Sequence, residues 1–519
     1  MEKTYLYRDL LTLEPRTLLV AFQEMAHCIS AEQERVLFDM IESARNTEFG
    51  RRHGFSEIKS IDDFRRRVPV SEYEDYSDEI ERMKDGEADV LFPGKPAAFV
   101  ISTGTTGAPK YIPESKAGSA VKLIVEILRF IEFAVIAGSS AAANMKIFTV
   151  TNPAVYGMTR GGIPAGAASG QGAANYPAAK GRMLPPPEFL RMTGLSIPTT
   201  NYLLMRMALA DREITGIISN NVAHIHRLFM DAEAQAEQLI RDIRNGEISV
   251  DMGEADAAAL APYTAANPER AAELMQILSE TGGFPIRRIW PNYGMTICWL
   301  SGSVGHSAKE FRKLFPENAK LIDWGYGASE GKFTVSTAAG QSAGLTAVFG
   351  YFFEFLPLDG GTPLLLSEVR EGVPYELILT SYSGLYRYNI HDIVRFERID
   401  GGLHMAFLCK QSEHLDFDET RLYSSELTRI IEDFERDSGV LIRLFQGRKR
   451  DGALELFVEP ADGDFRLESF ERCLRGALAE KGIGLKGVTL LEDGYRDSLF
   501  GKFIAEGKNV NQTKLPVFI

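Results

Sequence analysis

The sequence predicts an α/β protein: a large N-terminal domain of layered α/β subdomains with a β-rich, barrel-like subdomain, followed by a small α+β C-terminal domain. Three observations carry this. Helical periodicity alternates with short apolar runs through the first half of the chain, strand patterns take over from about 345 to 408, and helix and strand signals alternate again after Cys409. At 519 residues the chain also exceeds what one core organises. We therefore expect residues 1–408 to form the N-terminal domain, 409–418 a hinge and 419–519 a mobile C-terminal domain.

Residues 5 to 90 read mainly as helices, with Leu37, Met40 and Ile41 at three-and-four spacing. Ala97 to Ile101 is a strand-like run that ends in a loop of hydroxyl residues and glycines. Ala120 to Ala137 is the most apolar helix candidate. Its Lys122, Glu126, Arg129 and Glu132 fall about one turn apart, which makes a charged stripe on an amphipathic helix and not a membrane span. MKIFTVT (145 to 151) and IRRIW (286 to 290) read as buried strands, and the Gly/Ala-rich stretch 161 to 181 as a long loop with neither regular helix nor central strand. Runs such as YELILTSYSGLYRYNI and HMAFL make the 345 to 408 region antiparallel or barrel-like. Beyond it come a helix near Ser424 to Arg436, strands LIRLFQG and LELFVE, and a helix from Leu467 to Lys481.

Composition narrows the function classes. Apolar residues at 45% and charged residues at 25% are globular values. A net charge of −14 opposes nucleic acid and anionic membranes, and the only basic runs, Arg65 to Arg67 and Arg448 to Arg450, are short. Four scattered cysteines without CxxC spacing argue for reduced thiols, and the N-terminal MEKTYLYRDLLTLEP has no apolar run for export, so a cytoplasmic protein is expected. His224 and His226, two apart on a helix, point to different faces and cannot easily share a metal.

Four segments carry chemistry. In STGTTGAPK, Ser102 to Lys110, glycines allow close backbone approach, and hydroxyls and amide N–H groups suit phosphate oxygens; it lacks the GxxxxGK[ST] spacing of a Walker loop, and an ordinary polar turn is the alternative. YGASE, Tyr326 to Glu330, offers a ring to stack on a base and a carboxylate for Mg²⁺, or else a small-residue turn with an exposed Glu. In GLYRYNIHDIVRF, Asp392 can accept hydrogen bonds from both ribose hydroxyls, or form a salt bridge to Arg387 or Arg395. Near the end, EGKNVNQTKLP places Lys514 where a mobile domain could bring it to a phosphate, if it is not merely solvated.

In this order and spacing, the first three segments resemble the nucleotide motifs of adenylate-forming enzymes, the superfamily of acyl-CoA synthetases and firefly luciferase. More closely, the chain resembles the auxin-responsive family of acyl-acid amido synthetases, through DIRNGEIS (242 to 249), WPN (290 to 292), FFEFLP (352 to 357), TSYSGLYRY (380 to 388) and NQTKLP (511 to 516). The resemblance implies that Ser102, Thr103, Thr105 and Thr106 contact phosphate, with Gly104 and Gly107 permitting the approach. It implies Tyr326 near adenine, with Gly327, Ala328 and Ser329 in the same turn and Ser303 lining the adenine pocket. Glu330 would hold Mg²⁺, Asp392 the ribose and Lys514 the α-phosphate; Lys410 at the hinge is a weaker candidate, and Lys502 in FGKF competes with Lys514. Gly327, Ala328, Asn389 and His391 depart from the family pattern, which bears on acceptor choice and nucleotide geometry. The implied activity is ATP-dependent adenylation of a small carboxylic acid and transfer to an amine, with an amino acid as the expected acceptor, by a monomer or weak homodimer. A thiol-accepting ligase and a non-catalytic carboxylate binder are the alternatives.

Overall fold

The computed structural model describes residues 5–102, 109–138, 144–175, 181–302, 305–306, 311–418, 420–461, 463–505 and 515–519. Helices lead in, as their spacing predicts. Ile29–Ala44 buries Val36, Leu37, Met40 and Ile41 on one face, and the side chains of Thr47 and Ser60 cap the two short helices that follow.

The chain then builds two sheets. Strands β1 (Ala98–Ser102), β2 (Lys110–Glu114), β4 (Gly157–Met158) and β5 (Pro164–Gly166) form a small sheet in the order β2-β1-β5-β4. Strands β3 (Ile147–Val150), β6 (Met183–Leu184), β7 (Gly216–Ser219), β8 (Met295–Cys298) and β9 (Lys320–Asp323) form a wholly parallel sheet in the order β6-β3-β7-β8-β9. Period-two alternation explains its two covered faces. Ile147, Ile218 and Ile297 meet Phe130 and Phe133 of helix Lys116–Ala137 on one side, while Phe148, Ile217 and Cys298 meet helices Ile197–Ala210 and Val222–Ala234 on the other.

The β-rich region is an antiparallel seven-stranded sheet, ordered β10-β11-β16-β15-β14-β12-β13. Its strands are β10 (Thr334–Val335), β11 (Gly344–Thr346), β12 (Tyr351–Pro357), β13 (Leu364–Leu365), β14 (Pro374–Ser381), β15 (Tyr388–Ile399) and β16 (Gly402–Lys410). A hairpin, β17 (His414–Phe417) and β18 (Thr420–Tyr423), leads to the C-terminal unit, where β19 (Ile442–Arg450), β20 (Ala453–Pro460) and β21 (Leu485–Leu490) carry helices Ser424–Ser438 and Leu467–Ala479 over a core of their own. The last residues add to that core: Val517 is buried, and Pro516 O and Val517 O accept from Gln446 Nε2 (2.9 Å) and Gly447 N (2.7 Å).

Two expectations need correction. IRRIW is a helical turn, Ile286–Ile289, and not a strand: Ile286 and Ile289 are buried three apart while Arg287 and Arg288 face water, a helical period that a short apolar run hides. The 161 to 181 stretch is not one long loop, because β5 and helix Ala168–Asn175 form within it. Its glycines serve close packing: a Cβ on Gly166 would sit 2.0 Å from Ala154 O, and one on Gly170 2.2 Å from Asn152 O. The charged stripe on helix Lys116–Ala137 turns inward. Glu126, Arg129 and Glu132 are buried. Among the described residues no helix is long and apolar enough to cross a membrane, and no group of three His, Cys, Asp or Glu side chains is placed to hold a metal.

Candidate active site

The site grows from the carboxyl rim of the parallel sheet, where open α/β folds bind ligands. β9 ends at Asp323, whose buried carboxylate accepts from the Leu300 (2.6 Å) and Gly325 (2.7 Å) backbone N–H groups and so fixes both outgoing loops. Burial pushes this carboxyl up to about 7 against those two hydrogen bonds. Gly325 takes φ +87°, and a Cβ there would lie 2.6 Å from Thr334 O, so the turn into Tyr326 requires glycine. The YGASE segment is then a tight hairpin. Gly327 bridges Lys332, Ala328 N donates to Gly331 O (2.8 Å), and Phe333 N donates to Tyr326 O (2.9 Å).

Tyr326 is buried, stacks on Phe407 at 5.5 Å, and donates its hydroxyl to Asp392 Oδ2 at 2.6 Å. Asp392, only 2% exposed, stands on β15 opposite Lys410 of β16. The Lys410 ammonium pairs with Oδ1, so the two oxygens of this buried carboxylate face a phenol and an ammonium. Burial pulls Lys410 down, but Asp392 and Glu330 outweigh it and hold the ammonium above its ordinary range. Glu330 is half-buried beside Tyr388, whose phenol is pushed up by burial and further by its hydrogen bond to that carboxylate. Of the salt bridges that competed for Asp392 in the sequence, neither forms: Arg387 binds Glu354 (2.8 and 3.0 Å) and Arg395 binds Glu397 (3.1 Å).

The helix stripe ties these pieces together. Lys122 pairs with Glu114 at the end of β2 and donates to Ser329 O (3.0 Å), joining the β1–β2 hairpin to the YGASE turn. Glu126 pairs with Lys332, and Arg129 donates to Thr334 O and Tyr326 O, both at 2.9 Å. Burial pulls the Lys332 ammonium down to about 7, with Lys122 adding to the pull and Glu114 opposing it. Helix Ala168–Asn175 closes over this group, since a Cβ on Gly172 would approach both Glu126 Oε1 and Lys332 Nζ at 3.3 Å.

The structure thus brings together Gly327, Ala328, Ser329 and Glu330 in the turn with Tyr326, Asp392 and Lys410, while Ser102 ends β1, opposite Lys110. Thr103, Gly104, Thr105, Thr106, Gly107, Ser303 and Lys514 lie outside the described residues. Lys502 is exposed on helix Tyr495–Ala505. Sequence reasoning missed Glu114, Lys122, Glu126, Arg129 and Lys332 as positioning residues. For Lys122, Glu126 and Arg129 the signal was the stripe itself, four charges about one turn apart on an otherwise apolar helix; Glu114 and Lys332 lie on other elements and had none.

A parallel sheet with helices on both faces, an antiparallel sheet beside its carboxyl rim and a small appended unit make up the fold of the adenylate-forming ligases. A 2-hydroxyisobutyryl-CoA ligase in the postadenylation state shares it, with a TM-score of 0.51 over 92% of both chains at 13% identity. Within that class, residues 18–320 match the GH3 family N-terminal domain and residues 345–408 the GH3 family central domain, and the chain belongs to the GH3 family. The AtGH3.15 acyl acid amido synthetase in complex with 2,4-DB superposes with a TM-score of 0.81 at 19% identity, covering 100% of this chain and 95% of that one. Among curated relatives, the jasmonoyl-L-amino acid synthetase JAR4 of Nicotiana attenuata is 25% identical over 77% of this chain and 72% of its own. The 4-substituted benzoates-glutamate ligase GH3.12 of Arabidopsis thaliana is 23% identical over 95% and 93%.

Proposed function

We propose that this protein is an ATP-dependent acyl-acid amido synthetase, which adenylates a small carboxylic acid and transfers the acyl group to the amine of an amino acid with release of AMP and pyrophosphate. One observation carries the reading. Asp392, buried and ion-paired, stands between the Tyr326 hydroxyl and the Lys410 ammonium, and the turn that carries Tyr326 is tied through Lys122 to the β1–β2 hairpin. A carboxylate in that state suits a ribose hydroxyl, the ring of Tyr326 suits an adenine edge, and the loop from Ser102 to Gly107 suits the phosphates.

The acid's carboxylate attacks the α-phosphate in line, and the bond to the bridging oxygen of pyrophosphate breaks. No protein nucleophile is needed. Hydroxyl and amide donors from Ser102, Thr103, Thr105 and Thr106 stabilise the departing pyrophosphate. Glu330 fits the single carboxylate that Mg²⁺ takes beside phosphates, and the ion would supply countercharge there. The amine then attacks the acyl carbonyl and AMP leaves.

Residues 409–418 serve as the hinge of a C-terminal domain that carries Lys514 toward the α-phosphate and excludes water from the adenylate. Removal of one such contact costs about 3 kcal/mol, or roughly a hundredfold in rate. Mass spectrometry of reactions holding ATP, an acid and an amino acid tests the reading: an N-acyl amino acid is expected. A thioester formed in preference to the amide when coenzyme A competes would refute it.

A further inference from the structure

Away from Asp392, a cavity of about 180 Å³ opens at the carboxyl rim of the same parallel sheet. The turn after β3, helix Ile197–Ala210 and the first turn of helix Val222–Ala234 wall it. Leu190, Met192 and Leu204 give it an apolar lining, and among the described residues no Lys, Arg, Asp or Glu lines it. Into this lining are set Thr151, Asn201 and His224.

Those three side chains are anomalous. Asn201 and His224 are each 7% exposed, and Thr151 Oγ1, Asn201 Oδ1 and His224 Nε2 are buried with no hydrogen-bond partner among the described residues. A buried unsatisfied polar group costs about 1–3 kcal/mol, so three around one cavity call for a ligand or ordered water that satisfies them. The His224 ring is neutral throughout the physiological range, because burial pushes its pKa down to about 3. It therefore offers one donor and one acceptor and no charge.

Register fixes where the cavity stands relative to the reaction. Val150 pairs with Ser219, Ile218 with Ile297, and Cys298 with Asp323, so the exits of β3 and β7 are level with the exit of β9 that leads to Tyr326. β7 and β3, whose exits lead to the cavity walls, stand two and three strands from β9, distances of about 10 and 14 Å at ordinary strand spacing. A small acid with its carboxylate at the nucleotide can span such a distance.

We propose that this cavity receives the far end of the acyl substrate, and that the acid it selects has a body of one ring or a short chain ending in a neutral hydrogen-bonding group such as a hydroxyl. The size fits, since an engineered cavity of roughly 150 Å³ admits benzene. The chemistry disfavours a second carboxylate or an amine beside Thr151, Asn201 and His224, where no charged side chain among the described lining residues would pair with it. Thr151, Asn201 and His224 are then specificity-determining residues. The assignment to the acyl substrate rests on the adenylation reading; the binding of a neutral polar ring does not.

Two measurements on the full-length chain test this separately. Calorimetry without nucleotide should show phenol binding to the wild type, at least tenfold weaker binding to His224→Phe and Asn201→Leu, and little change for benzene; Thr151→Val replaces either variant that fails to fold. In acid-dependent pyrophosphate exchange, a para-hydroxylated phenylalkanoic acid should exceed its deoxy counterpart at least tenfold in kcat/KM, and His224→Phe should erase the preference. Phenol that does not bind, or binds all variants alike, overturns the proposal. So does exchange indifferent to the hydroxyl and to His224→Phe, which leaves adenylation standing. Variant-sensitive phenol binding without exchange for any acid sinks the adenylation reading instead, and with it the acyl assignment.

Discussion

Tyr326 and Asp392 are held by each other before any nucleotide arrives. Their 2.6 Å hydrogen bond lies in a buried site, so Tyr326→Phe leaves a carboxylate oxygen short of a donor. We expect a loss of about 1–3 kcal/mol in denaturant unfolding together with a raised KM for ATP; an unchanged midpoint would show that the bond contributes nothing. Asp392→Ala should weaken ATP binding more than it slows chemistry. Nearby, His391 adopts φ +57° and binds Glu376 through Nδ1 at 2.6 Å. That hydrogen bond, against the opposing effect of burial, holds the imidazolium above its usual range. A raised folded-state pKa stabilises fully below the unfolded value of about 6.5, and the gain is lost as pH rises through the folded value. His391→Gln should therefore flatten the fall in stability between pH 6 and pH 9, and an identical slope in both proteins would contradict the assignment. Asp392 and Tyr326 were legible in the sequence because motif spacing singled them out. Their bond to each other was not, since 66 residues separate them and nothing local encodes a contact between two sheets.

At the scale of elements, helix Lys116–Ala137 shows where a sequence pattern is ambiguous. Periodicity predicts the helix and its charged stripe, but the same stripe describes a solvated face or a buried one, and only the partners decide. Here the partners are the β2 terminus and the YGASE hairpin. Glu132, on the same stripe, is buried and pushed up to about 7 by burial, from 4.5. The sign is again that of a raised pKa: its contribution is complete below about 4.5 and is lost as pH rises to 7. Glu132→Gln should thus stabilise the protein at pH 8, by on the order of 3 kcal/mol, and leave it unchanged at pH 4. A variant destabilised at pH 8 would reveal a carboxylate that the fold needs ionised. Elements with strong, long patterns were readable: the lead-in helices, β3, the antiparallel strands and the C-terminal helices all formed. IRRIW and the Gly/Ala stretch were not, because four residues cannot separate the two periods and because glycine marks close packing as well as loops.

The whole molecule places the proposed nucleotide site at a sheet rim and a separately cored C-terminal unit beside it. That unit already touches the larger part: His306 Nε2 donates to Ile442 O at 2.8 Å, and Arg496 lies over Phe311 at 5.4 Å. Its final residues, 516 to 519, are hydrogen-bonded to β19. Lys514→Ala should lower adenylation roughly a hundredfold with an unchanged unfolding midpoint, since a polar terminal lysine contributes little to a core. Isotope exchange between pyrophosphate and ATP, with a panel of carboxylic acids and no amine present, addresses the central claim most directly. We expect exchange that depends on the acid, with net AMP release only after an amino acid is added. Tight ATP binding with no acid-dependent exchange across the panel would contradict the account.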